Sequence, residues 1–147
     1  MTPSSAALKV VLGNTFTMYF KAHSYHWNVE GKNFNDYHEF FGDLYTELWE
    51  AVDLIAEQIR ACDDYAPVSL EELYSYKTIG EDSGLVVNQQ KFVNLLSTND
   101  QVIESLNKLF EVSSAENKQG LADFAASRLD IHAKHGWMIR SLSKNGE

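Results

Sequence analysis

Four side chains with the chemistry of an iron ligand set are spaced along the first half of this chain: His26 in HWNVEG, His38 in DYHEFF, and Asp53 and Glu57 in AVDLIAEQIR. Imidazole and carboxylate ligands accommodate Fe(II) and added anionic oxygens favour Fe(III), so a mixed set with open positions can bind iron, admit an oxidant and release the oxidised ion. His38 and Asp53 lie 15 residues apart on what reads as one uninterrupted helix. At about 1.5 Å per residue they are roughly 22 Å apart, too far to share a metal within one subunit. If the four form one site, two copies pair their helices antiparallel, and His26 and His38 of one face Asp53 and Glu57 of the other across a two-fold axis. Trp27, beside His26, and Trp49, one turn before Asp53, are placed to wall that site and intercept oxidising equivalents. As ordinary interface aromatics they need no such role.

The elements that must position these residues follow from composition and periodicity. A chain of 147 residues, 44% hydrophobic and 12% aromatic, fits one domain over residues 1–147 with a real core. The single Cys62 excludes an intrachain disulfide framework, the first residues show no basic segment followed by an apolar run, and no stretch of about 18 apolar residues spans a bilayer. The expectation is a soluble protein of a reducing, cytoplasmic compartment. A net charge of −9 disfavours nonspecific attraction to DNA or anionic lipid and suits the gathering of cations, although solubility alone explains it equally well.

Four long helical stretches stand out. Thr2 is a candidate N-cap with Pro3 at the first helical position, and the stripe Leu8, Val11, Leu12, Met18, Tyr19, Ala22 and Tyr25 ends at His26. After a turn at Gly31-Lys32, Asn33 is expected to cap the second helix with Asp36 reaching back. Its stripe is Tyr37, Phe41, Leu44, Leu48, Val52, Ile55 and Ile59. The connection over 63–87 contains a Ser69/Glu72 capping pair, which predicts a short helix over Leu70 to Tyr76. A third long helix is expected from Asn88 to Ala115 on Phe92, Leu95, Leu96, Val102, Ile103, Leu106 and Phe110, and a fourth from Gln119 to Ser143 on Leu121, Phe124, Ala125, Ile131, Met138 and Leu142. Two helical hairpins joined by a long crossover with its own short helix make an all-α, ferritin-like four-helix bundle.

HWNVEG, the His twelve residues before that of DYHEFF, VDLIAEQIRA and the late HAKHGWMIRSL together resemble the Dps-type mini-ferritins from about residue 8 to residue 143. The resemblance implies a hollow twelve-subunit shell with ferroxidase sites at its two-fold interfaces, oxidation of Fe(II) preferably by hydrogen peroxide, and storage of ferric mineral inside. It assigns His26 and His38 to one subunit and Asp53 and Glu57 to its mate. Many members carry a carboxylate four residues after the second His; here that position is Gly42, followed by Asp43. At 100° per residue Gly42 lies 40° from His38 on the helical wheel and Asp43 140°, so Asp43 points off the site unless a π-bulge rotates it inward. A regular helix is the preferred reading, with water or Glu39 standing in for the missing carboxylate. One iron position held by His26, Asp53 and Glu57 is then largely intact and a second, near His38, is weakened.

The remaining candidates carry less. His132 and His135, like His23 and His26, share a helix face and could bind metal, but such pairs more often pack or face solvent. The resemblance places Glu116 to Asp123 around a three-fold pore, where Asp123 and Glu116 guide Fe(II) inward; a charged helix start is the simpler account. Tyr45 and Arg60 are candidates to brace the interface. Little or no direct DNA binding is expected, because no basic residue precedes the first helix and only Lys144 follows Ser143 before Asn145, Gly146 and Glu147. A non-catalytic shell or binding protein with a degraded iron site is the alternative to a ferroxidase. A conventional intrasubunit di-iron centre wants Glu-x-x-His pairs, and none of the five histidines has Glu three residues before it.

Overall fold

The computed structural model describes residues 1–144; the terminal Asn145, Gly146 and Glu147 lie outside the described residues. Five helices follow one another: α1 (Pro3–Asn28), α2 (Phe34–Ala61), α3 (Leu70–Ser75), α4 (Asn88–Ala115) and α5 (Gln119–Leu142). The four long ones form the bundle, and α3 sits in the crossover from α2 to α4. Thr2 caps α1 in a reciprocal box with Ser5: each side chain accepts the other residue's backbone N–H. The cap expected at Asn33 is not made. Its side chain turns to the Tyr37 hydroxyl instead, and its backbone (φ −101°, ψ 22°) departs from the extended conformation a capping residue normally adopts. Ser69 caps α3 through the Glu72 N–H as its spacing predicts.

One hydrophobic core runs the length of the bundle. Leu8, Val11, Leu12, Met18 and Ala22 of α1 meet Phe41, Leu44, Leu48, Ile55 and Ile59 of α2 and Phe92, Leu95, Val102, Leu106 and Leu109 of α4. Burial of each large side chain stabilises the fold by roughly 1.5–3 kcal/mol. The close backbone approaches are α1 with α2, α4 with α5 and α1 with α4. Helix α5 departs from its expected stripe: Met138 is exposed and Ile131 and Leu142 are half-buried, while Arg128, His132 and Gly136 turn inward beside Leu121, Ala125 and Ile139. Polar partners on α2 and α4, described below, draw that face into the bundle.

Two glycines shape the backbone around α1. Gly31 (φ +108°) makes the turn that brings α2 back along α1, a conformation L side chains rarely adopt. At Gly13 a Cβ would lie 2.9 Å from the Lys77 backbone nitrogen and 3.1 Å from the Leu73 carbonyl oxygen, so the crossover reaches α1 only because that side chain is missing. The neighbouring Asn14 fastens it, accepting from the Thr78 N–H at 2.8 Å and donating to the Thr78 hydroxyl at 3.0 Å.

Candidate metal centre

His26 lies in the last turn of α1 and His38 in the second turn of α2, and the Gly31 turn sets them face to face. Their rings stack at 3.7 Å between centroids. His26 Nδ1 lies 2.7 Å from the His38 carbonyl oxygen, and His38 Nδ1 lies 2.7 Å from the His26 carbonyl oxygen. A carbonyl oxygen can only accept, so each Nδ1 carries the hydrogen, and it is Nε2 of each ring whose lone pair is left to serve a metal. Phe34 stacks on the far side of His38 at 4.8 Å, and Tyr45 meets His26 edge-on at 5.2 Å. Both imidazoles are half-buried, held by backbone and aromatic contacts before any ion arrives.

Gly42 is part of this arrangement. A Cβ there would stand 3.2 Å from both Cε1 and Nδ1 of His26, so the bare backbone lets the His26 ring lie against α2. Helix α2 is regular through this point, and Asp43 lines a groove with Asp36, Glu39, Phe40, Trp137 and Met138 toward α5. Glu39 lines that same groove.

Asp53 and Glu57 sit one turn apart farther along α2, both exposed. Among the described residues no three His, Cys, Asp or Glu side chains come close enough to hold a metal ion. One chain thus brings the two histidines together and keeps the two carboxylates apart from them. The exposed Trp27 and Trp49 both rest on aromatic partners: Trp27 on His23 at 4.1 Å and Trp49 on Tyr19 at 5.1 Å. Tyr45 stacks on His23 at 3.8 Å. The Tyr19 hydroxyl is 2.8 Å from His23 Nδ1. Burial, with a smaller effect of His26, lowers the His23 pKa from its usual value.

The other candidates are placed as follows. Glu116 accepts from the backbone N–H of Ser4 at 2.9 Å and from its hydroxyl, which supplies the anion that the first turn of α1 lacks and lowers its carboxyl pKa. Asp123 is exposed near the start of α5. Arg60 stacks over Tyr65 at 4.5 Å and donates to the Asp64 carbonyl. A cavity of about 250 Å³ beside the 81–86 segment, lined by residues that include Lys21, Tyr25, Asp82 and Lys91, contains none of the four candidate ligands.

A second polar cluster, which the spacing alone does not reveal, lies between α2, α4 and α5. Glu47 receives the Arg128 guanidinium on both carboxylate oxygens and His135 Nε2 at 2.7 Å. Arg128 also donates to His132 Nε2 at 3.1 Å, leaving His132 Nδ1–H for Asn99 Oδ1 at 2.8 Å, while Asn99 Nδ2 donates to the His132 carbonyl at 3.0 Å. Burial opposes ionisation of Glu47, but hydrogen bonds from His135 and Arg128 outweigh it and bring the carboxyl down to about 2. His132 is fully buried, and that burial, with the nearby Arg128 and His135, keeps its pKa well below the usual 6.5. Arg128, His132 and His135 at i, i+4 and i+7 on one face of α5 are the local trace of this cluster; Glu47 and Asn99 leave none.

The ferritin-like domain family matches residues 5–147. The chain is similar to general stress protein 20U of Bacillus subtilis, 31% identical over 92% of this chain and 93% of that protein. It is also similar to DNA protection during starvation protein 2 of Bacillus anthracis, 26% identical over 85% of this chain and 86% of that one. In three dimensions the crystal structure of Dps from Thermosynechococcus elongatus superposes with a TM-score of 0.94 at 22% identity, over 98% of this chain and 92% of that one. None of the helices described is long and apolar enough to cross a membrane.

Proposed function

We infer that this protein, which belongs to the ferritin-like domain family and within it to the Dps type, is a ferroxidase that oxidises Fe(II) with hydrogen peroxide and stores the ferric product in a shell of its own copies. One observation carries the reading. The reciprocal bonds between His26 and His38 use Nδ1 and leave both Nε2 lone pairs at one end of α2, while Asp53 and Glu57, which make no ion pair among the described residues, stand exposed farther along the same helix. Neither half suffices in one chain, and each is what the other lacks. An antiparallel second copy brings imidazoles of one subunit to carboxylates of the next, and every two-fold dimer makes two such sites. The exposed Phe20, Trp27, Trp49 and Leu54 of α1 and α2 give that contact apolar surface to bury.

In the assembled site His26, Asp53 and Glu57 hold Fe(II), with His38 adding its nitrogen to a second, poorer position that lacks a carboxylate at Gly42. The chain's own work is to fix the imidazole tautomers and to present anionic oxygen that favours the ferric product. Twelve subunits close the shell, Asp123 lines a route for Fe(II), and the net charge of −9 attracts cations and leaves little or no direct DNA binding at physiological salt.

The test loads purified protein with Fe(II) anaerobically, adds peroxide and follows ferric absorbance beside a His26→Ala/Asp53→Ala variant, with solution mass for the assembly. Loss of the fast phase in the variant supports the reading; equal rates overturn it. Gly42 favours one other reading, a shell of the same architecture whose iron site no longer turns over, and equal rates in a twelve-subunit particle would establish that one.

A further inference from the structure

We propose that Tyr19, with His23 as its proton acceptor, is a redox-active tyrosine that supplies the second electron when peroxide meets a site holding a single Fe(II). The inference rests on the ferroxidase reading and follows from a mismatch in electron count. Reduction of hydrogen peroxide to two hydroxide ions takes two electrons, and oxidation of one Fe(II) gives one. A site with two good iron positions has no deficit. Here the carboxylate that would complete the second position is replaced by Gly42, and the His26 ring occupies the space above it.

The aromatic contacts lead from the site, past the Tyr45 ring, to a phenol whose hydroxyl already meets a base. His26 touches Tyr45 at 5.2 Å, Tyr45 stacks on His23 at 3.8 Å with the rings 8° from parallel, and His23 holds the Tyr19 hydroxyl at 2.8 Å. Tyr45 and Tyr19 also meet directly, at 6.2 Å between ring centres. Oxidation of a phenol makes its proton strongly acidic, so the tyrosine that gives up an electron easily is one whose proton already has a base. With His23 neutral and its hydrogen on Nε2, the Tyr19 O–H donates to Nδ1 and the proton moves along an existing bond. Trp27 against His23 and Trp49 against Tyr19 cover the pair on its outer side.

The step balances. Fe(II) and the Tyr19 phenol each give one electron to hydrogen peroxide, the O–O bond breaks, and two hydroxide ions form. The phenol proton passes to His23, which leaves Fe(III), a Tyr19 phenoxyl radical and a protonated His23. A second Fe(II) arriving at the site returns one electron to Tyr19 while His23 returns the proton. The sum is two Fe(II) oxidised per peroxide, with neither the radical nor the proton left over.

The test has two arms. In the first, protein holding one Fe(II) per site is mixed with peroxide, frozen within milliseconds and read by electron paramagnetic resonance, with and without ring-deuterated tyrosine. The expected result is a phenoxyl signal that narrows on deuteration, falls at least tenfold in Tyr19→Phe and His23→Gln, and persists in Tyr45→Phe. In the second, iron-free protein receives a flash-generated one-electron ruthenium oxidant, and the radical is expected to live at least tenfold longer in wild type than in His23→Gln. A signal unchanged in Tyr19→Phe, or ferric absorbance that develops with no tyrosine radical, overturns the assignment. No ferric absorbance beside a normal radical in the iron-free arm overturns the ferroxidase reading and the iron-coupled step, and leaves the Tyr19–His23 pair standing as a redox couple.

Discussion

Two clusters in this molecule are each built around a pair of histidines and end in opposite states. One pairs His26 with His38 at the end of the α1–α2 hairpin; the other joins His132 and His135 to Glu47, Arg128 and Asn99 inside the bundle. In the buried cluster both nitrogens of His132 are engaged, and the Glu47 carboxylate is shared between a guanidinium and an imidazole. It has little left to offer an ion. In the hairpin pair the bonds use Nδ1 and backbone carbonyls only, so the rings are held while Nε2 stays free. What separates a site from a brace is therefore not the presence of histidine and carboxylate but which lone pairs the fold leaves over.

The sharpest way to break this distinction is Glu47→Ala. The substitution leaves the Arg128 guanidinium inside the bundle without its counter-charge and strips His135 of its acceptor. A loss of about 3 kcal/mol is expected, the lower end for a broken buried pair because Glu47 keeps partial solvent contact. It should appear as a clear drop in Tm at fixed protein concentration, with Fe(II) affinity of the folded particle unchanged. His26→Ala should do the converse: Fe(II) binding weakened beyond the roughly 10–100-fold typical of losing a mere outer-shell partner, with Tm nearly unmoved. Calorimetric titration beside thermal melts reads both. If each variant moves both quantities alike, the two clusters are not the separate devices described.

Acid provides the next test, because the buried cluster resists protons that an unfolded chain would take up. His132 keeps its pKa well below 6.5 in the fold, so as pH falls through 6.5 the unfolded state binds a proton that the folded state refuses, and stability declines. Glu47 acts in a lower window: its carboxyl, ordinarily near 4.5, is held at about 2, so its stabilising effect is intact above 4.5 and is lost as pH falls toward 2. Melts between pH 7 and pH 5 should show a falling Tm that flattens in His132→Gln. A slope unchanged by that substitution would remove His132 as its cause.

How far each cluster was legible in the sequence follows from how each is made. The hairpin pair depends on local spacing: a stripe from Leu8 to Tyr25 that ends on His26, a turn at Gly31, and His38 twelve residues on, all readable because helical periodicity fixes the faces. The distance from His38 to Asp53 was equally plain, being set by helix rise alone. The buried cluster depends on Glu47 reaching partners 81 and 88 residues away, and no local pattern encodes such a pairing. For the same reason the α5 face was misjudged: apolarity singled out Met138 and Ile131, whereas Arg128 and His132 are inside because α2 and α4 hold their partners. The missed Asn33 cap is smaller in kind, a side chain with two local acceptors or donors to choose from that took the Tyr37 hydroxyl.

The smallest expected effect concerns Gly42, where stability and site geometry pull in opposite directions. Replacing a mid-helix glycine by alanine ordinarily stabilises by about 0.5–1 kcal/mol, because the backbone surrenders less freedom on folding. Here the added Cβ meets His26 at 3.2 Å, and the ring must give by a few tenths of an ångström. Its Nδ1 bond to the His38 carbonyl is already at 2.7 Å, so the movement is expected to turn Nε2 away from its line of approach rather than shorten that bond. Gly42→Ala should therefore change Tm by less than the full helix-propensity gain while weakening Fe(II) binding a few-fold. Gly42→Asp adds the same steric push and a carboxylate near His38, so tighter binding of a second Fe(II) per site than in Gly42→Ala would show that the missing oxygen, and not the displaced imidazole, limits that position. Equal binding in the two variants would place the limit on His26 and make the open Nε2 of the hairpin pair, more than the count of carboxylates, the property that sets the site's capacity.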